Sequence, residues 1–258
     1  MAIAYHGALG STIFLSASAL VKRVVARLNR SAPARAARFL YKYPTDPAYR
    51  SMVHLALSRP RGLFQPYTRT REDRYPVIFA AVRARIADEP DVRLLSFGCA
   101  TGEEVTTLRR HFPNAIIRGL DINARSIAAC IGKFAGSVKE SFAVASSTAG
   151  EPSGAYDAIF CMAVLRHGAL APADVARCDH LIRFADFEDQ IADFARCLKP
   201  GGLLALRHAN FHFGDTSVAP LFETLLAVPR HRDTAKFGLD NRRLPDSRHE
   251  EAVFQKLR

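Results

Sequence analysis

The stretch Leu94-Leu95-Ser96-Phe97-Gly98-Cys99-Ala100-Thr101-Gly102-Glu103-Glu104 is the part of this 258-residue sequence best suited to hold a ligand. A strand-like apolar run gives way to small residues at 98, 100 and 102, and a helical pattern starts at Glu103. Small residues let a ligand lie against the backbone where the chain leaves a sheet, the usual binding edge of an open α/β fold. Asp121 follows 23 residues after Gly98, at the end of the next strand-like run, where a carboxylate can accept hydrogen bonds from two neighbouring hydroxyls. A lone Asp there also suits the cap of a helix starting at Ala124. His167, beyond the run ending at Met162, is placed to act as a general base; a histidine there can equally pack against or cap the following loop.

A dinucleotide and S-adenosylmethionine compete for the glycine-containing turn. A dinucleotide needs the helix N-terminus to receive a pyrophosphate, and Glu103 and Glu104 would repel one. The G-x-G-x-x-G register from Gly98 also fails, because Ala100 and Glu103 stand where glycines belong. S-adenosylmethionine carries a sulfonium cation and no phosphate, so nearby acids do it no harm. Thr101 and Glu104 have the T-x-x-E spacing of a capping box, a role independent of any ligand.

The elements that must position these residues alternate regularly. Pro76 opens a helix to about 87, with Val77, Ile78, Ala81, Val82 and Ile86 at helical spacing. Strand 92–97, helix 103–111, strand 115–120 and helix 124–134 follow, as a parallel βαβαβ sheet demands. Further strands are expected at 142–145, 157–162 and 203–206, a helix at 187–198, and a closing strand pair at 222–228 and 252–257. Residues 41–76, rich in Tyr, Pro, Arg and Thr, read as a loop-rich connector with short helical pieces.

At these positions the sequence resembles the bacterial-type class I S-adenosylmethionine-dependent methyltransferases over about residues 90–207. The segment Phe97-Gly98-Cys99-Ala100-Thr101-Gly102-Glu103-Glu104 is similar to the glycine turn of chemotaxis-receptor methyltransferases. Gly119-Leu120-Asp121-Ile122, Tyr156 to Met162, and Leu198-Lys199-Pro200-Gly201-Gly202 supply three further stations in the right order. The resemblance implies a Rossmann-like α/β fold, a mostly parallel seven-stranded sheet with helices on both faces, and an N-terminal helical extension. It implies a domain over 76–258 preceded by a basic extension and connector over 1–75. The cofactor-binding residues it implies are Gly98, Cys99, Ala100, Gly102, Asp121, Ile122, Ala145, Ser146, Cys161 and Met162, with His167 as the catalytic candidate and no metal. Ser96 departs from the acidic residue common in such families, and Ala145-Ser146 replaces an Asp that often meets adenine. His208 and His212 are reserve candidates or surface polarity. Arg69, Arg71 and Arg74 are candidates for the methionine carboxylate.

The expected reaction is methyl transfer to a small-molecule or lipid-like acceptor. A protein carboxyl or RNA methyltransferase and a non-catalytic S-adenosylmethionine-binding protein are the alternatives; the absence of an N-P-P-Y-type motif after residue 160 disfavours base N-methylation. The net charge of +11 is concentrated at the front: residues 1–92 hold fifteen Lys/Arg against six Asp/Glu. Residues 1–45 hold Lys22, Arg23, Arg27, Arg30, Arg35, Arg38 and Lys42 and no acid, with Leu20, Val24 and Leu28 on an apolar stripe. Such an arm suits an anionic membrane surface or RNA. The apolar run 8–20 is too short to span a bilayer and lacks the charge order of a signal peptide. Five scattered cysteines argue for a reducing cytoplasm rather than a disulfide framework, and Cys178-Asp179-His180 lacks the second half of a metal site.

Overall fold

The computed structural model describes residues 32–68, 70–230, 234–245 and 249–257. The arm's Leu20, Val24 and Leu28 and the candidate Arg69 lie outside the described residues. Contacts divide the chain into two units, one ending at Ser51 and the other running from Met52.

Helices α1 (Ala32–Thr45) and α2 (Pro47–Ser58) occupy the first part of what the sequence suggested was loop-rich. The prolines that suggested a loop lie at or near helix ends. Pro44 sits in the last turn of α1, and Pro47 opens α2, where no amide hydrogen is needed. Asp46 caps α2 by accepting from the Ala48 and Tyr49 amides, 3.0 Å each.

From α3 (Pro76–Arg83) the order is β1 (Arg93–Phe97), α4 (Glu103–His111), β2 (Ile116–Asp121), α5 (Ala124–Lys133), β3 (Glu140–Val144), β4 (Tyr156–Met162), α6 (Phe184–Cys197), β5 (Leu198–Arg207), β6 (Phe222–Pro229) and β7 (His249–Lys256). The seven strands lie in the order β3-β2-β1-β4-β5-β7-β6, parallel from β3 to β5, with β7 antiparallel to both β5 and β6. This bears out the expected Rossmann-like class I architecture. Strand alternation sends side chains to two cores. Leu95, Phe97, Ile159 and Leu204 pack with Phe187, Ile191 and Phe194 of α6. Leu94, Ile117, Phe160 and Leu203 pack with Phe79 and Val82 of α3, Leu108 of α4 and Ile127 of α5. Helices therefore cover both faces, and the carboxyl ends of β1 to β5 form one edge. No helix among the described residues is long and apolar enough to cross a membrane.

Candidate active site

At the carboxyl edge, β1 turns into α4 through three left-handed residues, Gly98 (φ 76°), Ala100 (φ 49°) and Gly102 (φ 89°). The Gly98 and Cys99 amides donate to the Leu120 carbonyl at 2.7 and 3.0 Å, tying the turn to β2. The expected capping box does not form. Gly102 takes the N-cap position of α4 with a backbone that brings no side chain to the helix, and the Thr101 hydroxyl instead donates to the Glu103 carboxylate. Glu104 Oε1 accepts from the Ser96 hydroxyl at 2.7 Å. A carboxylate from α4 thus stands beside Ser96, the position where the resemblance leads one to look for an acid. Burial pushes the Glu104 carboxyl up to about 7, against the Ser96 hydrogen bond and the charge of Arg74.

Asp121 joins the turn to the end of β2. Its Oδ2 accepts from the Ala100 amide at 2.9 Å and its Oδ1 from the Asn123 amide at 2.8 Å. The helix cap is Asn123, whose side chain accepts from the Arg125 amide, so Asp121 is not the cap of α5. Burial raises the Asp121 carboxyl above its ordinary value, with those two amides opposing. Each carboxylate oxygen has two lone pairs, so each retains one acceptor position after its backbone bond. Ile122 follows it, half-buried, and the Ala145 amide donates to the Asp121 carbonyl at 3.0 Å, bringing Ala145 and Ser146 to the same edge.

Cys99 and Cys161 have their side chains almost wholly enclosed in the two cores, which leaves only their backbone for a ligand. Met162 is buried at the end of β4. Ala163 then adopts φ 62°, and Val164 packs against Gly98.

His167 caps the short helical turn Gly168–Leu170 through Nδ1, which accepts from the Ala169 amide at 3.2 Å. Its own amide donates to Asn210 Oδ1 at 2.7 Å. With Nδ1 accepting, the neutral ring carries its proton on Nε2 and presents a donor, so removing a proton from an acceptor would require giving up the Ala169 bond. Burial first, then the charges of Arg59, His180 and Arg166, lower its pKa.

His208 and His212 are not surface polarity. His208 is buried with Nδ1 3.1 Å from the Thr234 hydroxyl, and His212 is half-buried with its pKa lowered by burial and by Lys236. The Arg74 guanidinium lies 5.2 Å from the Tyr75 ring centroid, whereas Arg71 is exposed. The Cys178-Asp179-His180 segment spends its groups elsewhere, Cys178 on Asn241 and Asp179 on Arg177.

Two features had no sequence signal strong enough to single them out. The Tyr75 hydroxyl is buried without a hydrogen-bond partner among the described residues, its ring 5.5 Å from that of His208, and burial pushes its pKa up to about 12. Residues 59–68 and 70–73 also make contacts with the domain. A Cβ on Gly62 would stand 2.7 Å from the Ser146 carbonyl oxygen, Gln65 accepts from the Gly168 amide at 3.1 Å, and the Asp73 amide donates to the Thr107 hydroxyl at 3.0 Å. The R-P-R-G sequence at 59–62 announces a turn but not where that turn rests.

The sequence model of the methyltransferase-domain family matches residues 67–234. This chain belongs to that family. Among curated proteins none matches it. The solved N-methyltransferase NodS from Bradyrhizobium japonicum WM9 is 16% identical with a TM-score of 0.50, over 72% of this chain and 96% of that one. Geranyl diphosphate C-methyltransferase from Streptomyces coelicolor A3(2), solved with S-adenosyl-L-homocysteine, is 15% identical with a TM-score of 0.37, over 51% of this chain and 44% of that one. Phosphoethanolamine N-methyltransferase 2 from Haemonchus contortus, solved with S-adenosyl-L-methionine, is 14% identical with a TM-score of 0.41, over 69% and 34%. The match thus spans less than half the length of the last two proteins.

Proposed function

We propose that this chain is an S-adenosylmethionine-dependent methyltransferase acting on a small-molecule or lipid-like acceptor. The observation that carries the reading is the Asp121 carboxylate, bonded to the Ala100 amide of the left-handed turn and keeping one acceptor position on each oxygen. Two ribose hydroxyls match those positions. Gly98, Ala100 and Gly102, with the backbone of Cys99, form the surface along which the cofactor lies. Ile122, Ala145 and Ser146 flank the adenine, and the backbone of Cys161 and Met162 underlies the reacting end. The buried Tyr75 hydroxyl supplies a donor that a bound ligand would satisfy. Glu103 and Glu104 at the start of α4 oppose a pyrophosphate there.

Bound in this site, S-adenosylmethionine supplies an electrophilic methyl group whose leaving group needs no activation, so alignment of the acceptor carries much of the catalysis. His167 touches the acceptor as a hydrogen-bond donor through Nε2, held in place by Asn210 and Ala169.

Calorimetry on the full chain is expected to give binding of S-adenosylhomocysteine and at least tenfold weaker binding of NAD, and Asp121→Asn should weaken the former by roughly 1–3 kcal/mol. Tight NAD binding with no response to S-adenosylhomocysteine would overturn the reading. Unchanged affinity in Asp121→Asn would leave Asp121 only its backbone bonds.

The basic arm is the attachment element of a cytoplasmic protein. Helix α1 exposes Phe39, Leu40 and Tyr41 among Arg35, Arg38 and Lys42, an apolar and cationic combination that favours anionic lipid over RNA. Sedimentation with anionic vesicles should fall with salt and be largely lost when the seven cations of residues 1–45 become Gln. Retention of RNA and not of vesicles would reverse the assignment.

A further inference from the structure

We propose that the cavity of about 370 Å³ between residues 56–67, His167 and residues 181–186 is the acceptor site, and that it takes a small molecule whose phosphate or carboxylate group is held by Arg59 and Arg61. The inference rests on the methyl-transfer reading above and adds the chemical class of the acceptor.

Local structure fixes both arginines. Arg59 is the first residue beyond α2, with a left-handed φ of 41° and its amide bonded to the Leu55 carbonyl at 3.0 Å. Glycine or asparagine ordinarily ends a helix in this way, because a side chain crowds the left-handed backbone. An arginine kept there, with its side chain on a cavity wall, is strain retained at a binding surface. Arg61 is the second residue of a turn closed by the Leu63 amide on the Pro60 carbonyl at 3.1 Å. The third residue, Gly62, has φ 80°, as a type II turn requires, and its close approach to Ser146 seats the turn on the loop after β3. The turn that carries Arg61 therefore rests on the same edge as the proposed adenine contacts.

The charges in the cavity favour an anion. Asp186 is the carboxylate of its wall, and Arg183 answers it with two bonds of 2.9 and 2.7 Å. The guanidinium groups of Arg59 and Arg61 have no ion-pair or hydrogen-bond partner among the described residues. His167, which also lines the cavity, has Nε2–H to offer, since its Nδ1 is taken by the Ala169 amide. Two guanidinium groups and one imidazole N–H line the one cavity, donors of the kind that phosphate or carboxylate oxygens need. His167 follows the carboxyl end of β4, the strand whose Met162 belongs to the proposed cofactor site, so an acceptor gripped in this cavity would be held on the same edge as the methyl donor.

The test follows the His167 ring by NMR in the full chain, its resonance assigned by its loss in His167→Asn. Sulfate, whose tetrahedral charge stays constant through the titration, and acetate are the two probes. A bound anion is expected to raise the His167 titration midpoint by about half a pH unit or more, against the lowering by burial and Arg59. In Arg59→Gln/Arg61→Gln the response should be at least tenfold weaker; Arg59→Gly, which suits the left-handed backbone, provides a second variant secure against misfolding. A response to sulfate alone assigns a phosphate-bearing acceptor, and one to acetate alone a carboxylate. No response to either, or equal responses in parent and variants (an adventitious ion only), overturns the proposal. S-adenosylhomocysteine binding on the same samples separates the two readings. Its absence in the parent overturns the methyl-transfer reading, whereas equal binding in parent and variants without a His167 response overturns the anion site alone.

Discussion

Glu250→Ala is expected to destabilise the protein by about 3–5 kcal/mol, because it strips the counter-ion from two buried cations. Glu250 Oε1 accepts from Lys236 Nζ at 2.8 Å and Oε2 from Arg207 at 2.5 Å, with Lys236 and Glu250 only 3% and 5% exposed. Lys236 spends its other protons on the Ala209 and Phe211 carbonyls, and Arg207 bonds the Pro229 carbonyl. The triad therefore ties β5 and β7 to the 208–211 segment, which includes Asn210, the partner of the His167 amide. Urea unfolding of the parent, Glu250→Ala and Glu250→Gln checks this, with Gln retaining one acceptor oxygen and an intermediate stability. A loss below about 1 kcal/mol in Glu250→Ala would mean that water reaches the triad.

The same variant should show a pH signature. Burial already lowers the Lys236 pKa, and the loss of Glu250 removes the charge that opposes this lowering. Between its native and unfolded pKa values, the unfolded chain binds one proton more than the native chain, so the stability of Glu250→Ala rises with pH in that window. The parent, with its counter-ion in place, should rise less.

Gly98→Ala is expected to cost about 2–5 kcal/mol. A left-handed backbone costs a non-glycine residue roughly 1–2 kcal/mol, and overpacking adds roughly 1–3 kcal/mol. Both apply, since Gly98 has φ 76° and a Cβ there would stand 2.3 Å from Val164 Cγ2. The overlap can be separated from the backbone term by Val164→Ala, which removes the clashing methyl groups. In a double-mutant cycle the pair should recover about 1–3 kcal/mol, leaving the backbone cost. Additive losses would place the strain in the backbone alone. Such a result would also predict that S-adenosylhomocysteine binding is not rescued by Val164→Ala.

Much of the fold was legible because its signals are local. Helix Glu103–His111 has the bounds that its sequence announces, and β1, β2 and β4 end within a residue of expectation, since each is an apolar run followed by a glycine, an aspartate or a break in hydrophobicity. Pro47 misled because proline at the first residue of a helix costs no hydrogen bond, whereas Pro44 removes the amide that would bond the Leu40 carbonyl, and α1 ends one residue later. The T-x-x-E spacing at 101–104 misled in a different way. A capping box presumes that Thr101 is the N-cap, but the left-handed Gly102 takes that position and leaves Thr101 and Glu104 to bond Glu103 and Ser96.

By itself the sequence determined the α/β alternation, the glycine turn at 98–102 and the carboxylate that faces it, because each depends on residue type and short spacing along one chain. Only the tertiary structure decided what those groups meet. The Asp121 oxygens, the Nδ1 of His167, the orphaned Tyr75 hydroxyl, the Lys236–Glu250–Arg207 triad and the seating of Gly62 on Ser146 each depend on a contact between segments distant in sequence or on the backbone path through a turn. Periodicity carries no record of such contacts. Hydrogen bonding and burial act through space, and the chain must first close its sheet before either can assign a proton or a charge to its place.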